Sequence, residues 1–255
     1  MQRYFMHLSY RGAPFHGWQS QPNAISVQST IENALSMIMR TPIKITGAGR
    51  TDTGVNARSM VCHFDTIEPI ENTERLIHNL NSLIGKDIAI YSITPVHEDA
   101  HARFDATSRT YHYYIHTRKS PFDYALSWQA PENLNFELMN KAAKLLLEVS
   151  DFSSFAKLHS DAKTNICKVD KAEWIQCDKY KWVFIIRADR FLRNMVRAVV
   201  GTLVDVGRKK ISLSDFQDII SAKNRCAAGT SMPPQGLFLW DVTYPYYKIE
   251  DSDII

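Results

Sequence analysis

At 255 residues, 45% hydrophobic and 22% charged, the chain is long enough to bury its own core as one large or two moderate domains, and wholesale disorder is excluded outside the acidic end, 250–253. Its formal charge of +3, from 30 basic and 27 acidic residues, is too small to announce a polyanionic partner by itself, so any nucleic-acid argument rests on local clustering. Four scattered cysteines with no C-x-x-C pair argue against a zinc knuckle or redox motif, and no stretch approaches a membrane span; the expectation is a reduced, cytoplasmic chain, neither exported nor inserted.

Residues 4–10 alternate, with Met6, Leu8 and Tyr10 on one face, and predict a half-buried strand. The run RGAPFHGWQ breaks the pattern. Ser26 is then placed to cap a helix whose apolar residues Val27, Ile31, Ala34, Leu35 and Ile38 recur at helical spacing until Pro42 stops it. Strands at 43–46 and 60–64 flank the stretch 47–57, GAGRTDTGVNA, whose glycines mark a loop. A helix over 73–83, a strand over 88–93 and an aromatic strand over 110–116 follow, then a turn-like segment over 123–135 and a helix over 136–147. The later part repeats the plan: strands near 169–175 and 182–188, a long helix over 191–206, a shorter one near 214–222 and a last strand over 237–244. These successions predict an α/β (α+β) chain of two related halves, 1–106 and 107–255. No proline- or serine-rich linker separates them, so they are expected to pack closely and share a cleft.

The stretch 47–57 seats Asp52 between Arg50 and Gly54. It is not a nucleotide fingerprint: Asp52 occupies the third glycine place of G-x-G-x-x-G, and no Lys-Ser/Thr pair follows Gly54. On spacing alone two roles stand for Asp52, a cap of its own turn, the commoner use of a loop aspartate, and a catalytic carboxylate presented from a rigid base. On the helix over 191–206, Arg193 and Arg197 fall one turn apart, off the apolar face of Leu192, Met195, Val196, Val199, Val200 and Leu203. They read as a solvated face, as phosphate contacts, or as part of a buried ion pair. Bases and aromatics interleave at FHGWQ (15–19), HARF (101–104) and SRTYHYY (108–114), which suits stacking and phosphate contact on RNA; core packing is the alternative for each ring. Neither His97 with His101 nor His112 with His116 has an obvious third ligand, so no metal is expected, and no nucleophile elbow is present.

Taken in order between Tyr10 and Tyr244, the segments FHGWQ, SVQ, GRTDTGV, HARFDAT, R-x-Y (109–111), DFSSF (151–155), FLRNMVRAVVG (191–201) and GLFL (236–239) resemble the tRNA pseudouridine synthase A family. Any one of them is weak, and the ordered set is specific. The resemblance implies a cofactor-free isomerase that detaches uracil from its ribose, rotates it and rejoins it through carbon 5 in the anticodon arm of tRNA. It also implies a homodimer in which one tRNA touches both subunits, and two α/β halves around a largely antiparallel sheet with helices packed on it. By position it makes Asp52 the catalytic aspartate, Tyr111 the active-site tyrosine and Arg197 the arginine that pairs with the aspartate. Arg50 and Arg58 become RNA contacts, and Leu237 lines the uracil pocket. One position departs: the family commonly has histidine where this chain has Asn56, which hydrogen-bonds but cannot titrate. That departure keeps open a catalytically inactive tRNA-binding or chaperone protein on the same scaffold. A small-molecule phosphate enzyme using the glycine loop has less support.

Overall fold

The computed structural model describes residues 1–157 and 163–249, so the acidic end, 250–253, lies outside the described residues. In chain order its elements are β1 (Gln2–Tyr10), α1 (Val27–Met39), β2 (Thr46–Gly47), β3 (Asn56–Thr66), α2 (Thr73–Leu83), β4 (Ile88–Val96), β5 (Ser108–His116), β6 (Trp128–Gln129), α3 (Phe136–Leu145), β7 (Val169–Asp178), β8 (Lys181–Ala188), α4 (Met195–Gly207), α5 (Leu213–Ala222) and β9 (Leu237–Thr243). The chain forms two compact units, one of Met1–Thr107 with residues 239–249, the other of Ser108–Phe238. Each mixes helices with mainly antiparallel strands, in keeping with the expected α/β class. A linear division at 106 assigns the C-terminal strand to the second half; in the structure most of it belongs to the first unit, because β9 runs beside β3. Among the described residues no helix is long and apolar enough to cross a membrane.

In the first unit the strand order is β4-β1-β3-β9, with β2 on the side of β3. The alternation in 4–10 predicts one wet face, and the structure corrects this: Phe5 and His7 are as buried as Tyr4, Met6 and Leu8. The rings of Tyr244 and Tyr247 each lie 5.2 Å from Phe5, and Tyr91 lies 5.3 Å from His7. A strand covered on both faces has no use for polar alternation. α1 begins as expected, with Ser26 and Ser29 closing a capping box, and ends at Arg40 in the left-handed conformation, ahead of Pro42. The strand expected over 43–46 shrinks to Thr46–Gly47, because side chains of α1 take the backbone groups a neighbouring strand would have used. Ser36 Oγ accepts from the Ile43 N–H at 2.9 Å, Glu32 accepts from the Ile45 N–H at 3.1 Å, and Gln28 Nε2 donates to the Ile45 carbonyl at 3.1 Å.

In the second unit β8 lies between β5 and β7, and β6 adds in parallel to β5. α3 packs against β7, α4 and α5, with Phe136 stacked on Trp182 at 3.8 Å. The helix expected over 191–206 starts only at Met195: Asn194 takes a left-handed φ of 65°, so 191–194 form an irregular lead-in. Arg193 is therefore exposed off the helix, not one turn from Arg197 on it. α4 is buried around almost its whole circumference, as befits a helix at the centre of a unit. Gly201 and Gly207 make this possible: a Cβ on Gly201 would stand 1.9 Å from the Thr230 carbonyl oxygen, and one on Gly207 2.5 Å from the Met139 sulfur.

Two histidines of the first unit make its stability depend on acid. Burial lowers the pKa of His7 to about 4, and burial, followed by the neighbouring His101 and Arg3, lowers that of His63 to about 4. Both are neutral when folded, whereas the unfolded chain takes up protons near 6.5, so their stabilising contribution is intact above 6.5 and is lost as pH falls towards 4. Between pH 7 and 4.5 His7 alone is expected to cost about 2–3 kcal/mol, at ~1.4 kcal/mol per unit. Thermal melts across that range check it; a His7→Phe protein should show the shallower fall, and equal slopes would dismiss the assignment.

Candidate active site

In the first unit Asp52 opens a turn in which the Val55 N–H donates to the Asp52 carbonyl at 3.1 Å, and Gly54 takes φ 78°, the left-handed value a type II turn needs at its third place. Backbone groups close this turn, and the Asp52 residue itself is half-buried. The preceding segment from α1 delivers the loop, and three close backbone approaches hold it. Gly17, at φ 87°, would place a Cβ 2.4 Å from the Thr51 carbonyl oxygen, which accepts from the Trp18 N–H at 3.2 Å. Gly12 would place one 2.1 Å from the Val55 carbonyl oxygen. Gly47 would place one 2.5 Å from the Trp18 ring. Tyr10 Oη and Thr51 Oγ1 share a hydrogen bond of 2.9 Å. The far side of FHGWQ is fastened to α1, where the N–H groups of Val27 and Gln28 donate to the carbonyls of Gly17 and Trp18 at 3.2 and 3.0 Å.

FHGWQ thus serves as the backing of the Asp52 loop. Phe15 and Trp18 are buried packing rings, which resolves the choice between stacking on RNA and core packing for this run. Nothing in residue spacing singles out Gly12, Gly17 or Tyr10; the one hint is the pair of glycines where the strand pattern of β1 breaks. Asn56 opens β3, is buried, and accepts from the Gly12 N–H at 2.8 Å through Oδ1, so this side chain clamps the same loop. Arg50 is exposed on the loop. Arg58 is half-buried on β3, its guanidinium 4.4 Å from the centre of the Trp240 ring.

In the second unit Tyr111 stands on β5 opposite Ile186 of β8, with its ring edge-on to Phe191 at 4.9 Å. Phe191 belongs to the lead-in of α4, so the irregular segment that delays the helix also steadies the tyrosine. Two residues on, Tyr113 shares that face of the strand. It is fully buried, its hydroxyl donates to the Pro233 carbonyl at 2.9 Å, and burial raises its pKa above the phenol range.

Arg197 lies in the first turn of α4. Its Nε donates to the Met232 carbonyl, and its own carbonyl accepts from the Met232 N–H at 3.1 Å. The stretch 229–233 reaches α4 because Gly201 has no side chain, and Thr202 Oγ1 accepts from the Gly229 N–H at 3.0 Å. Arg225 ties the stretch down further, donating to the Gly229 carbonyl at 3.1 Å and to Ser231 Oγ at 2.8 Å. The adjacent carbonyls of Met232 and Pro233 therefore link Arg197 to Tyr113, and the second unit gathers Tyr111, Tyr113 and Arg197 around β5 and α4. Leu237 begins β9 and is buried; beside it Gly236 would place a Cβ 3.0 Å from the Tyr113 ring. Met232 carries no side-chain signature, and only Gly201 within FLRNMVRAVVG marks where its strand of chain comes to rest.

Chemically, the first unit offers a carboxylate on a clamped loop, and the second a guanidinium held by the Met232 carbonyl and a tyrosine ring held by Phe191. These are groups for nucleophilic and acid–base work. Among the described residues no group of three or more His, Cys, Asp or Glu is arranged to hold a metal ion.

Comparison with known proteins adds independent findings. Residues 142–245 match the family model for tRNA pseudouridine synthase. A protein of Parabacteroides distasonis named tRNA pseudouridine synthase A is 55% identical over 98% of this chain and 100% of its own length. Its namesake in Bacteroides fragilis is 54% identical, covering 96% of this chain and 97% of its own, and that of Colwellia psychrerythraea is 37% identical over 95% and 94%.

Proposed function

This chain belongs to the tRNA pseudouridine synthase A family, and from that premise we propose that it isomerises uridine to pseudouridine in the anticodon stem-loop of tRNA, with Asp52 as nucleophile and no cofactor. The observation that carries the role of Asp52 is the clamping of its loop by Gly12, Gly17 and Trp18, which fixes the backbone on both sides of a half-buried aspartate. Preorganisation of this kind serves chemistry more than folding.

The reaction breaks the bond between ribose carbon 1′ and uracil nitrogen 1, turns the base, and joins carbon 5 to carbon 1′. The proton on carbon 5 leaves and nitrogen 1 gains one, so atoms and charge balance. The target base must first leave its stack to meet the protein. Attack on uracil carbon 6 and attack on ribose carbon 1′ both need an ionised carboxylate beneath the base, where desolvation alone favours the neutral acid. Arg197 is the counter-charge in this reading, its guanidinium plane set by the Met232 carbonyl. Tyr111, steadied by Phe191, stacks on the uracil and assists removal of the carbon 5 proton, and Leu237 lines the base pocket. Arg50 and Arg58 contact the RNA, and a cytoplasmic homodimer presents the site to one anticodon arm.

Chemical mapping of pseudouridine in tRNA incubated with the purified protein tests the function; an unmodified anticodon arm would overturn it in favour of simple binding. For the counter-charge, Arg197→Lys keeps the charge but loses the planar fork, and is expected to lower kcat about 10²-fold with little change in tRNA affinity. Single-turnover kinetics check this, and activity equal to wild type would remove Arg197 from the mechanism.

A further inference from the structure

The second unit carries a basic surface that the chemistry above does not use. Where β5 ends and β8 begins, a cavity of about 180 Å³ is lined by His116, Arg118, Lys119, Asp123, Tyr180 and Lys181. Lys181 is engaged by Asp123 at 2.8 Å and lies 3.9 Å from Asp178. Arg118, Lys119 and Lys179 are exposed and form no ion pair among the described residues. Instead Arg118 and Lys179 each stand 5.3 Å from the centre of the Tyr180 ring. Four cations thus face two carboxylates, and the local excess is positive although the chain as a whole is nearly neutral.

Two further features point to a ligand. His116 is buried, with Nδ1 2.7 Å from Ser127 Oγ and Nε2 without a hydrogen-bond partner among the described residues. A buried ring nitrogen in that state is unusual, and it belongs to a residue that lines the cavity. The turn over 121–126, which supplies Asp123 to the cavity, also holds up Phe122 at 92% and Tyr124 at 71% exposure. Large exposed rings beside uncompensated cations suit a polyanion that also carries flat bases. A free phosphate would leave the rings unused, and a second copy of this chain would leave the cations uncompensated.

We propose that this end of the second unit is an additional tRNA-binding site, in which successive backbone phosphates are held by Arg118, Lys119 and Lys179 while Phe122 and Tyr124 stack on neighbouring unpaired bases. The proposal rests on tRNA being the substrate. Its test uses the full chain and end-labelled tRNA transcripts, comparing wild type with an Arg118→Ala/Lys119→Ala/Lys179→Ala protein and a Phe122→Ala/Tyr124→Ala protein. The triple variant should reduce the slope of log affinity against log salt by about 2–3, and raise KM for tRNA without a matching loss of kcat. The aromatic variant should weaken binding at least about fivefold with the salt slope kept. Unchanged affinity and slope in both variants would overturn the site, as would conversion of a dimer to a monomer with tRNA binding per protomer intact, which would make the surface a contact between copies. If wild type binds tRNA but forms no pseudouridine, the catalytic reading falls while the binding comparison still decides this one.

Discussion

An Asp52→Asn protein is expected to bind tRNA within about threefold of wild type and to form pseudouridine at least about 10⁴-fold more slowly, the scale of loss seen when an enzyme's nucleophile is removed. Asparagine is nearly isosteric with aspartate, so the turn closed by the Val55 N–H and the Asp52 carbonyl survives, and with it the three glycine contacts behind the loop. What disappears is the carboxylate charge and its nucleophilic oxygen. Release of tritium from tRNA labelled at uridine carbon 5, measured beside tRNA affinity and melting temperature, separates chemistry from binding and folding. Full activity in this protein would end the proposed mechanism, whatever the family membership.

Gly17→Ala should also be damaging, though about 10²-fold less than loss of the carboxylate, from a position that does no chemistry. A Cβ there would stand 2.4 Å from the Thr51 carbonyl oxygen where ordinary contact begins at 3.4 Å, so the residue next to Asp52 must move by about 1 Å. A displacement of that size is expected to cost about 10²-fold in kcat. The left-handed φ of 87° adds about 1–2 kcal/mol of strain for any L side chain, or ~2–8 °C in melting temperature for a chain of this size. Two other glycines dissect the effect. Gly85 shares the positive φ with open space around it, so Gly85→Ala should lower the melting temperature and spare kcat. Gly49 has neither the φ nor, among the described residues, an atom within 4 Å of an added Cβ, so Gly49→Ala should leave stability unchanged. A Gly17→Ala enzyme with wild-type kcat would show that the clamp does not position Asp52.

Elements with their own start signals were legible in the chain. α2 spans 73–83 as its periodicity predicts, behind an Asn72 that caps it by accepting from the Arg75 N–H, and α1 starts at its Ser26 cap. The local pattern misleads where a distant partner decides the structure. The 43–46 segment has the composition of a strand, yet its backbone is claimed by Ser36, Glu32 and Gln28 of a helix already passed. The lead-in to α4 keeps the apolar pattern, since Leu192 is buried, while Asn194 breaks the backbone geometry that the pattern implies. Asp52, Tyr111 and Arg197 stand out as candidates only through the ordered motifs, because spacing alone leaves a turn-capping aspartate and a solvated arginine as ordinary alternatives. Their supports were out of reach for another reason. Gly12 against Val55, Gly17 against Thr51 and Met232 against Arg197 are contacts to backbone atoms, and a carbonyl leaves no trace in residue identity.

The return of the chain to the first unit at Leu239 bears on how the protein is made. Ser108–Phe238 is continuous and can complete itself while the remainder is still being synthesised, whereas the unit that holds Asp52 waits for the last strand. Until β9 emerges, β3 keeps an open edge and Phe5 lacks the cover of Tyr244 and Tyr247. A ribosome that stops short of residue 239 therefore releases a chain with its whole aspartate loop translated and the sheet behind that loop unfinished.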